Sequence, residues 1–432
     1  MSAAQPHPGP TPHERGLVFR TSVDRLIGPG LGIALLVRVL TDDRSPHYSR
    51  HTGSFNLSGA IAAILIVVAA GVLLQRRSGV RAAVLAALWL SVWTVVAIHT
   101  NGASTETVRE GVREASVFAL ALIVWNVPRA ISITTATRLV QLLGVVPALL
   151  ALYQLATGTG VSVAGQTRAN GTLAHPNSAA MLFAIVATVS LWRYLDCGRR
   201  RGDGLLALLF IAATISTYSI DGVISLVAMF AALGVLRPGP LQVKRVPLLL
   251  GGLVVVVFFA TPLGAQRISQ ESATSVAAVE QGSGDTSLAW RIHKWEQLLP
   301  EWEGSPVLGR GLGTTLTEEA VFDDAYRGVP PHNEYVRYLV ETGVLGLLAL
   351  MLGLGLLVRR LLRARRTWAR AVVGMLNAPM LALAVIFGCL VDSLADNTLI
   401  DTPTCYLAAL VVVAVLAALR PSLGSSQARS AA

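Results

Sequence analysis

The sequence predicts an all-α polytopic integral membrane protein with about twelve transmembrane helices and one large external loop between late helices. Of the 432 residues, 53% are hydrophobic and only 14% are charged, whereas a soluble domain carries about 25% charged residues. Apolar runs long enough to cross the hydrocarbon core recur along the chain. Short arginine clusters separate many of these runs, as in loops that stay on the cytoplasmic side.

The apolar runs give the candidate spans in order. The first run is the weakest, because it is short and contains Arg38. Nine runs precede the longest polar stretch of the chain, and three follow it. In chain order the predicted spans are 26–40, 57–75, 82–99, 114–128, 138–156, 174–195, 204–219, 222–236, 247–264, 335–358, 372–394 and 403–419.

The basic loops predict the orientation of these spans. When the clusters 76–81, 199–201, 244–245 and 359–366 are placed inside, both ends of the chain are cytoplasmic. The predicted organisation is a disordered cytoplasmic tail at 1–25, transmembrane helices at 26–264, a large external loop at 265–334, transmembrane helices at 335–419 and a cytoplasmic tail at 420–432.

Charge and cysteine content exclude other classes of protein. The formal net charge of +10 is spread over short clusters between apolar runs, which argues against nucleic-acid binding. The three cysteines, Cys197, Cys389 and Cys405, lie in a basic loop and two apolar spans, so neither a disulfide framework nor a metal site is predicted.

The external loop has two parts. Residues 269–287 are rich in Ser, Ala, Gly and Gln and are expected to be flexible. Residues 288–299 place Leu288, Ile292 and Trp295 at helical spacing, which predicts an amphipathic helix at the membrane surface. Trp290 and Trp302 match the interfacial preference of indole rings.

Several polar groups are predicted to converge on the external face. A histidine can accept a proton from an attacking hydroxyl near neutral pH. Arginine suits a diphosphate because it stays charged and donates two parallel hydrogen bonds. The candidates are Arg168, Asn170, His175 and Asn177 before one span, Arg291, His293 and Lys294 on the surface helix, Arg310 in a glycine-rich turn, and His332, Asn333 and Glu334 before the later span.

These motifs resemble the O-antigen ligase and O-antigen polymerase superfamily over roughly 160–360. The resemblance rests on Arg291 with Trp295, the turn Gly309-Arg310-Gly311-Leu312-Gly313, and His332-Asn333-Glu334-Tyr335 followed by Glu341, Gly343 and Gly346. The earlier segment Arg168…Gly171…His175-Pro176-Asn177 also resembles a helix-start motif of that family.

The resemblance implies an inverting glycosyltransferase that needs no metal or other cofactor. Its donor would be a polyprenyl-diphosphate-linked glycan, and its acceptor a hydroxyl of a glycan or lipid, at the outer face of the bacterial cytoplasmic membrane. On this interpretation His332 is the base, Arg291 and Arg168 hold the diphosphate, and Arg310 and Asn333 complete the substrate-binding set. No Asp-x-Asp motif occurs in an external loop, which agrees with a metal-independent reaction.

One position departs from the family pattern. Relatives often have an arginine after the serine of a mid-chain hairpin, where this chain has Ser219-Ile220-Asp221. An acid there repels a diphosphate, so either another arginine compensates or the donor site is altered. Asp221 is alternatively a cap of the next span.

Purely structural roles are alternatives to the functional ones for several of these residues. His175 is expected to cap a span, Arg310 is as readily a turn residue, and Arg291 is alternatively a lipid anchor. Gly343 and Gly346 are expected to allow close helix packing.

Three functional alternatives stay open. The first is whether the enzyme is a polymerase, a ligase or a protein glycosylating enzyme. The second is a transporter or flippase, which is disfavoured because the spans hold very few ionisable residues. The third is a catalytically degenerate scaffold that binds other glycan-assembly proteins. Membrane lipids are expected partners in every case.

Overall fold

The described part of the protein is a bundle of α-helices with one small antiparallel hairpin. The computed structural model describes residues 12–42, 57–76, 78–163, 166–237, 241–273, 288–316, 330–368 and 377–420, with the backbone alone at 12–25, 163, 241–244, 289, 366–368 and part of 263–273. The elements are α1 Pro12–Leu40, α2 Leu57–Arg76, α3 Val80–Asn101, α4 Thr105–Asn126, α5 Ile133–Thr157, β1 Val161–Val163, β2 Gln166–Arg168, α6 Pro176–Asp196, α7 Arg201–Ser216, α8 Ile220–Leu236, α9 Leu241–Ala260, α10 Pro262–Ala273, α11 Leu288–Glu303, a short 3-10 turn Thr314–Leu316, α12 Glu334–Trp368, α13 Ala378–Asp392 and α14 Thr402–Ala418.

Helix starts follow from capping side chains next to apolar runs. Ser104, Ser132 and Ser219 each accept a hydrogen bond from the backbone N–H three residues later, at 3.1, 3.1 and 3.2 Å. Each hydroxyl satisfies an amide that the first helical turn leaves unpaired. The boundaries of α4, α5 and α8 are therefore local consequences of the sequence.

Every predicted span coincides with a helix, from α1 to α9 and from α12 to α14. Among the described residues, α2, α3, α5, α6 and α12 are long and apolar enough to cross a membrane. Shorter apolar helices lie within α1, α8, α9, α13 and α14. The fold is that of a multi-pass helical membrane protein, and the number of twelve spans stays a prediction.

Helix α6 forms the centre of the bundle. It packs against α5, α7, α8, α13 and α14, and 83% of its most apolar window is buried. Phe183 and Trp192 lie on it with almost no exposed surface. Its central position therefore comes from contacts with five other helices.

Polar contacts fix one end of the bundle. Asp196, at the end of α6, accepts hydrogen bonds from Arg237 after α8 at 2.7 Å and from Asn377 before α13 at 2.6 Å. Trp192 donates from Nε1 to the Asn377 carbonyl at 3.2 Å. The beginnings of α6, α8 and α12 therefore lie at the other end, which carries the site described below.

Helix α12 is broken at Gly343, whose φ of 63° is in the left-handed region. The chain around 306–311 fills the break, with Arg310 N donating to the Val340 carbonyl at 2.8 Å and Val344 N to the Pro306 carbonyl at 2.9 Å. A side chain at Gly343 would overlap the Val307 carbonyl oxygen at 2.3 Å. The glycine therefore admits a loop backbone rather than a neighbouring helix, which corrects the expectation of helix packing there.

The segments predicted as tail and flexible loop are partly helical. Helix α1 begins at Pro12 rather than at residue 26. A proline is well accommodated in the first turn of a helix. Residues 269–273 belong to α10 rather than to a flexible segment. The remainder of these predictions, at 1–11, 274–287 and 421–432, falls outside the described residues.

Arg38, which made the first span weak, has a local ion-pair partner. It pairs with Asp42 one turn later, and the other carboxylate oxygen of Asp42 accepts a hydrogen bond from Ala174 N at 3.1 Å. The charge lies at the end of α1 next to the start of α6, so it does not interrupt the apolar part of the helix.

Candidate active site

His332 lies in the short loop before α12 with a φ of 50°. Positive φ is uncommon for a residue other than glycine, and such strain concentrates at functional sites. Its Nδ1 is 2.7 Å from Asp396 Oδ1. The Trp290 ring packs edge-on with its centre 5.8 Å from that of the imidazole, and only 4% of His332 is exposed.

Asp396 lies in the loop between α13 and α14. Burial alone would raise its pKa, but the hydrogen bond and charge of His332, together with His175 and Arg291, hold the pKa well below its usual value. An ionised carboxylate only accepts hydrogen bonds, so His332 Nδ1 carries the proton of this contact. When the imidazole is neutral, the other ring nitrogen, Nε2, then has the lone pair that a general base requires.

The start of α12 holds this loop in place. Glu334 Oε1 accepts from the backbone N–H groups of Leu399 at 2.8 Å and Ile400 at 3.2 Å. Asn333 donates from Nδ2 to the Leu394 carbonyl at 3.0 Å. The element that bears His332 and the loop that bears Asp396 therefore form one unit.

Asn333, predicted to bind substrate, makes structural contacts. Its Oδ1 accepts from the amides of Tyr335 at 3.0 Å and Val336 at 3.1 Å, which caps α12. Both ends of its side-chain amide have protein partners that support the site, and its predicted role in substrate binding stays a prediction.

Arg168 is held over the start of α6 by the β1–β2 hairpin, in which Val161 faces it across the pair. Its Nε donates to the Thr217 carbonyl at 2.9 Å and its Nη2 to Asn177 Oδ1 at 2.8 Å. Among the described residues no hydrogen bond is formed by its Nη1.

Arg168 lies in an environment that disfavours positive charge. Burial, with the neighbouring charges of Arg267 and Arg291, lowers its pKa to about 9 against the opposing charges of Asp221 and Asp396. The protein anions around it do not compensate for desolvation and for the other arginines. A bound anion would supply the missing negative charge.

Arg291 and Asp221 form an ion pair between α11 and α8, with Nη2 and Oδ2 3.0 Å apart. The interpretation of Asp221 as a helix cap is wrong, because the cap of α8 is Ser219. The acid at the position where the family often has an arginine thus lies against an arginine that the sequence predicts to bind diphosphate.

Helix α11 has one face buried in the protein. Trp290, Lys294 and Leu298, at i+4 spacing, are buried, whereas Leu288 and Ile292 are exposed. Trp290 therefore packs in the site rather than at the membrane surface. Burial lowers the pKa of Lys294 to about 7.

His175 caps α6, as the sequence predicts. Its Nδ1 accepts from the Asn177 amide at 3.2 Å. Burial, and then the charge of Arg168, lower its pKa to about 3. Its ring centre is 6.3 Å from that of His332, so a neutral second imidazole borders the candidate base.

Arg310 lies apart from these residues. Its Nη2 pairs with Glu301 at 2.8 Å and its Nε donates to the Glu301 carbonyl at 3.2 Å. Among the described residues its side chain contacts no member of the group around His332. Its contacts match the turn interpretation, and its predicted role in substrate binding stays a prediction.

We call His332, His175, Asp396, Arg168, Arg267, Arg291 and Asp221 the His332 cluster. Sequence reasoning selected the two histidines and two of the arginines, but it missed Asp396 and Arg267 as members of the site. Asp396 follows a predicted span in a short loop, so an acid at the same end as His332 was a usable signal. Arg267 has no recognisable motif, and only the packing of α10 brings it near Arg168.

A second buried group of charges adjoins the first. Arg337 donates from Nε to Glu334 at 2.6 Å and from Nη1 to Glu341 at 3.2 Å and Glu110 at 3.4 Å. Glu110 also pairs with Arg113. These five residues are called the Arg337 network.

The network places only Arg337 and Glu341 within predicted spans, because Glu110, Arg113 and Glu334 lie outside 114–128 and 335–358. Its members lie on α4 and α12, and Glu341 also accepts from Thr315 Oγ1 at 2.6 Å. Charges buried together compensate for desolvation when they pair closely. The pairing joins helices far apart in sequence, so no local pattern indicates it.

Within the described residues, no three His, Cys, Asp or Glu side chains are arranged to hold a metal ion. The His332 cluster offers instead an oriented imidazole beside buried guanidinium groups. Such a site can accept a proton and stabilise a diphosphate anion.

Comparison with known proteins gives a family match. Residues 205–351 match a family model described as O-antigen ligase, and no curated protein matches the chain. The matched segment includes Asp221, Arg291 and His332, whereas Arg168 and His175 precede it. This match covers about a third of the chain; with the motifs that pointed to it, it supports a member of the O-antigen ligase and O-antigen polymerase superfamily and suggests glycan processing of that general type.

Proposed function

We propose that the protein is an inverting glycosyltransferase that uses a polyprenyl-diphosphate-linked glycan and works without a metal ion. The observation that carries the proposal is the 2.7 Å contact between His332 Nδ1 and Asp396, next to buried arginines. The donor would meet the His332 cluster at the outer face of the bacterial cytoplasmic membrane.

In this reaction His332 is the base. Its Nε2 takes the proton of an acceptor hydroxyl as that oxygen attacks C1 of the donor sugar. The bond between C1 and the diphosphate oxygen breaks, and its electron pair leaves with the polyprenyl diphosphate. Attack from the face opposite the leaving group inverts the configuration at C1. Asp396 keeps the imidazole in the tautomer that accepts the proton.

The arginines stabilise the leaving group. Arg168 and Arg291 are buried, so their interaction with a diphosphate is screened less than at a surface. Charge increases on the departing phosphate as the bond breaks, and fixed cations are most effective there. The low pKa of Arg168, about 9, supports this role because a nearby anion would relieve the cost of its burial.

The site supports polymerase and ligase activity equally. Both reactions use the same base and the same leaving group, and they differ in the acceptor hydroxyl. A glycan acceptor gives a polymerase, a lipid acceptor gives a ligase, and a protein hydroxyl gives a glycosylated protein.

The test is the glycan profile of a deletion strain that expresses either the wild type or His332→Asn. Asparagine tolerates positive φ, so the variant should keep the backbone at position 332. We expect the variant to match the deletion, with loss of long or attached glycan and accumulation of the lipid-linked donor. Single repeat units on the surface would identify a polymerase, unattached long chains a ligase, and lost glycoprotein bands a protein glycosylating enzyme.

A variant protein that is present at wild-type level and restores the wild-type profile would refute the role of His332 as base. Scaffolding or transport would then be the better explanation.

One observation bears on the transport alternative. The Arg337 network buries charged residues on α4 and α12, and transporters often carry such residues within spans. In vesicles, solute or lipid-linked sugar movement that survives His332→Asn but is lost with a change in this network would favour transport.

A further inference from the structure

Two arginines converge on one indole ring at the end of the bundle opposite the His332 cluster. The guanidinium carbon of Arg420, just after α14, lies 3.4 Å from the centre of the Trp125 ring. The guanidinium carbon of Arg360, on α12, lies 5.6 Å from the same ring. Trp125 itself is near the end of α4, so three separate helices meet at this point.

A third arginine joins them from α2. Arg76 donates from Nη1 to the carbonyl of Asn126, the residue after Trp125. Arg420 also donates from Nη2 to Ser78 Oγ at 3.3 Å. These oxygens are neutral, and no ion pair of Arg360 or Arg420 with a carboxylate is found within the described part of the chain. Burial and the charge of Arg360 lower the pKa of Arg420.

Two cations on one ring are favourable to the indole but repel each other. The face of an indole attracts a guanidinium, whereas like charges raise each other's free energy unless an anion lies between them. The arrangement therefore has a place for a negative group. Guanidinium groups form two parallel hydrogen bonds with phosphate oxygens, so phosphate is the anion that fits best.

The position along α12 indicates a membrane interface. From Val344, after the break in α12, to Arg360 the helix rises roughly 24 Å at about 1.5 Å per residue, which is most of the hydrocarbon thickness of about 30 Å. Tryptophan favours the interfacial level. The Trp125 group thus lies most of a bilayer thickness away from the break at Gly343, on the side away from the His332 cluster.

An apolar surface leads from the bilayer to these arginines. Leu348, Leu352 and Leu356 are exposed by 61%, 64% and 55%. Their spacing of four residues places them on one side of α12, and Arg360 continues the same row. A phospholipid whose acyl chain lies along this row would place its headgroup at Arg360. Free phosphate has no acyl chain and would gain nothing from the apolar row.

We propose that Trp125, Arg76, Arg360 and Arg420 form a binding site for the phosphate of an anionic phospholipid, with an acyl chain along the leucine row of α12. The site would take its lipid from the leaflet opposite the His332 cluster. It joins the ends of α2, α4, α12 and α14, so bound lipid would stabilise the bundle. The inference does not depend on the glycan chemistry.

The test is lipid binding by the purified full-length protein in detergent, followed by native mass spectrometry. Phosphatidylglycerol is compared with phosphatidylcholine for the wild type and for Arg360→Gln with Arg420→Gln. Each basic residue near a membrane surface contributes enough that two losses should weaken binding about 30-fold. The matched control is Arg359→Gln with Arg363→Gln, which removes the same charge from two α12 arginines outside the Trp125 group.

We expect preferential phosphatidylglycerol binding that the first double variant loses and the control retains. Equal loss in both double variants would overturn the site in favour of diffuse attraction. No preference over phosphatidylcholine would overturn it as well. Inorganic phosphate that displaces the lipid at equal concentration would overturn the lipid assignment, because the acyl chain would then contribute nothing.

Discussion

The His332 cluster and the Arg337 network are neighbouring groups of buried charges with opposite electrostatic states. In the network, one guanidinium contacts three carboxylates, and a hydroxyl also bonds Glu341. In the cluster, the protein lowers the pKa of Arg168 to about 9, so its positive charge is poorly compensated. The difference separates a group that joins helices from a group prepared for an anionic ligand.

The largest effect should come from the base. His332→Asn removes the proton acceptor while keeping a residue that tolerates a φ of 50°. We expect glycan transfer to fall by about 10³-fold, within the usual range for a general base. The rate is measured in membrane vesicles as consumption of lipid-linked glycan, with protein level and thermal unfolding as controls. A loss smaller than about fivefold would rule out proton abstraction by His332.

The next effect should be on folding, at Arg337. Arg337→Met leaves the carboxylates of Glu110, Glu334 and Glu341 without their shared partner. Removal of one member of a buried pair destabilises a protein by about 3–5 kcal/mol. The control is Arg109→Met, because Arg109 pairs with Glu106 at an exposed position and such pairs contribute about 1 kcal/mol or less.

Tryptophan-fluorescence unfolding in detergent measures both variants. We expect Arg337→Met, but not Arg109→Met, to lose most of its folded protein. Wild-type stability in Arg337→Met would contradict a role of the Arg337 network in joining helices. The difference from the His332 cluster would then be lost.

Glu334 belongs to the network and also holds the loop that bears Asp396. In Glu334→Gln the single amide oxygen cannot accept from both the loop amides and Arg337. Because a displacement of about 1 Å can cost roughly 10²-fold in rate, we expect a fall of that size in kcat, with the KM of the donor nearly unchanged. The measurement is the initial rate at varied donor concentration, per folded protein.

Glu341→Gln is the matched control for this effect. It also loses a bond to Arg337, but its other partner is Thr315 rather than the Asp396 loop. An equal fall in kcat for both variants would show that the network acts through overall stability and not through the position of His332.

A smaller effect is expected at the ion pair between Arg291 on α11 and Asp221 on α8. Asp221→Asn removes the carboxylate that Arg291 contacts at 3.0 Å and leaves its shape. Diphosphate would no longer compete with the Asp221 carboxylate for Arg291. The donor KM should therefore fall by about fivefold, equivalent to about 1 kcal/mol. Inhibition by inorganic pyrophosphate should become stronger by a similar factor.

The comparison variant is Arg310→Ala, which removes an arginine that pairs with Glu301. We expect its donor KM and pyrophosphate inhibition to match the wild type. A higher donor KM in Asp221→Asn would mean that Asp221 orients Arg291 for the donor instead of competing with it.

The fold was largely accessible from sequence because each apolar run specifies its own helix. Runs such as 176–196 need no long-range information, and capping residues such as Ser104 fix their starts. Errors arose where a backbone position has no side-chain signature. The break at Gly343 results from a loop backbone that enters α12, and the glycine alone does not distinguish this from helix packing.

Sequence reasoning selected a site residue only where that residue belongs to a recognisable motif. His332 and Arg291 lie in recognisable motifs, whereas Asp396 acquires its role by contact across 64 residues of chain. The pairing of Asp221 with Arg291 likewise depends on how α11 packs against α8. Sequence therefore indicates which chemical groups are present at one end of the bundle, and tertiary contacts decide which of them act on each other.

The smallest effect should be at His175, which tests whether one or both histidines carry the chemistry. Its Nδ1 is occupied by the Asn177 amide, and its pKa of about 3 leaves it neutral from pH 5 to pH 9. Protonation would occur only as the pH falls toward 3, so His175 should contribute no ionisation in the working range. His175→Asn keeps a side chain that caps helices well, and the dependence of the transfer rate on pH should keep its shape. A shift of the acidic limb in this variant would show that the two rings titrate together, and the base would then be the pair rather than His332 alone.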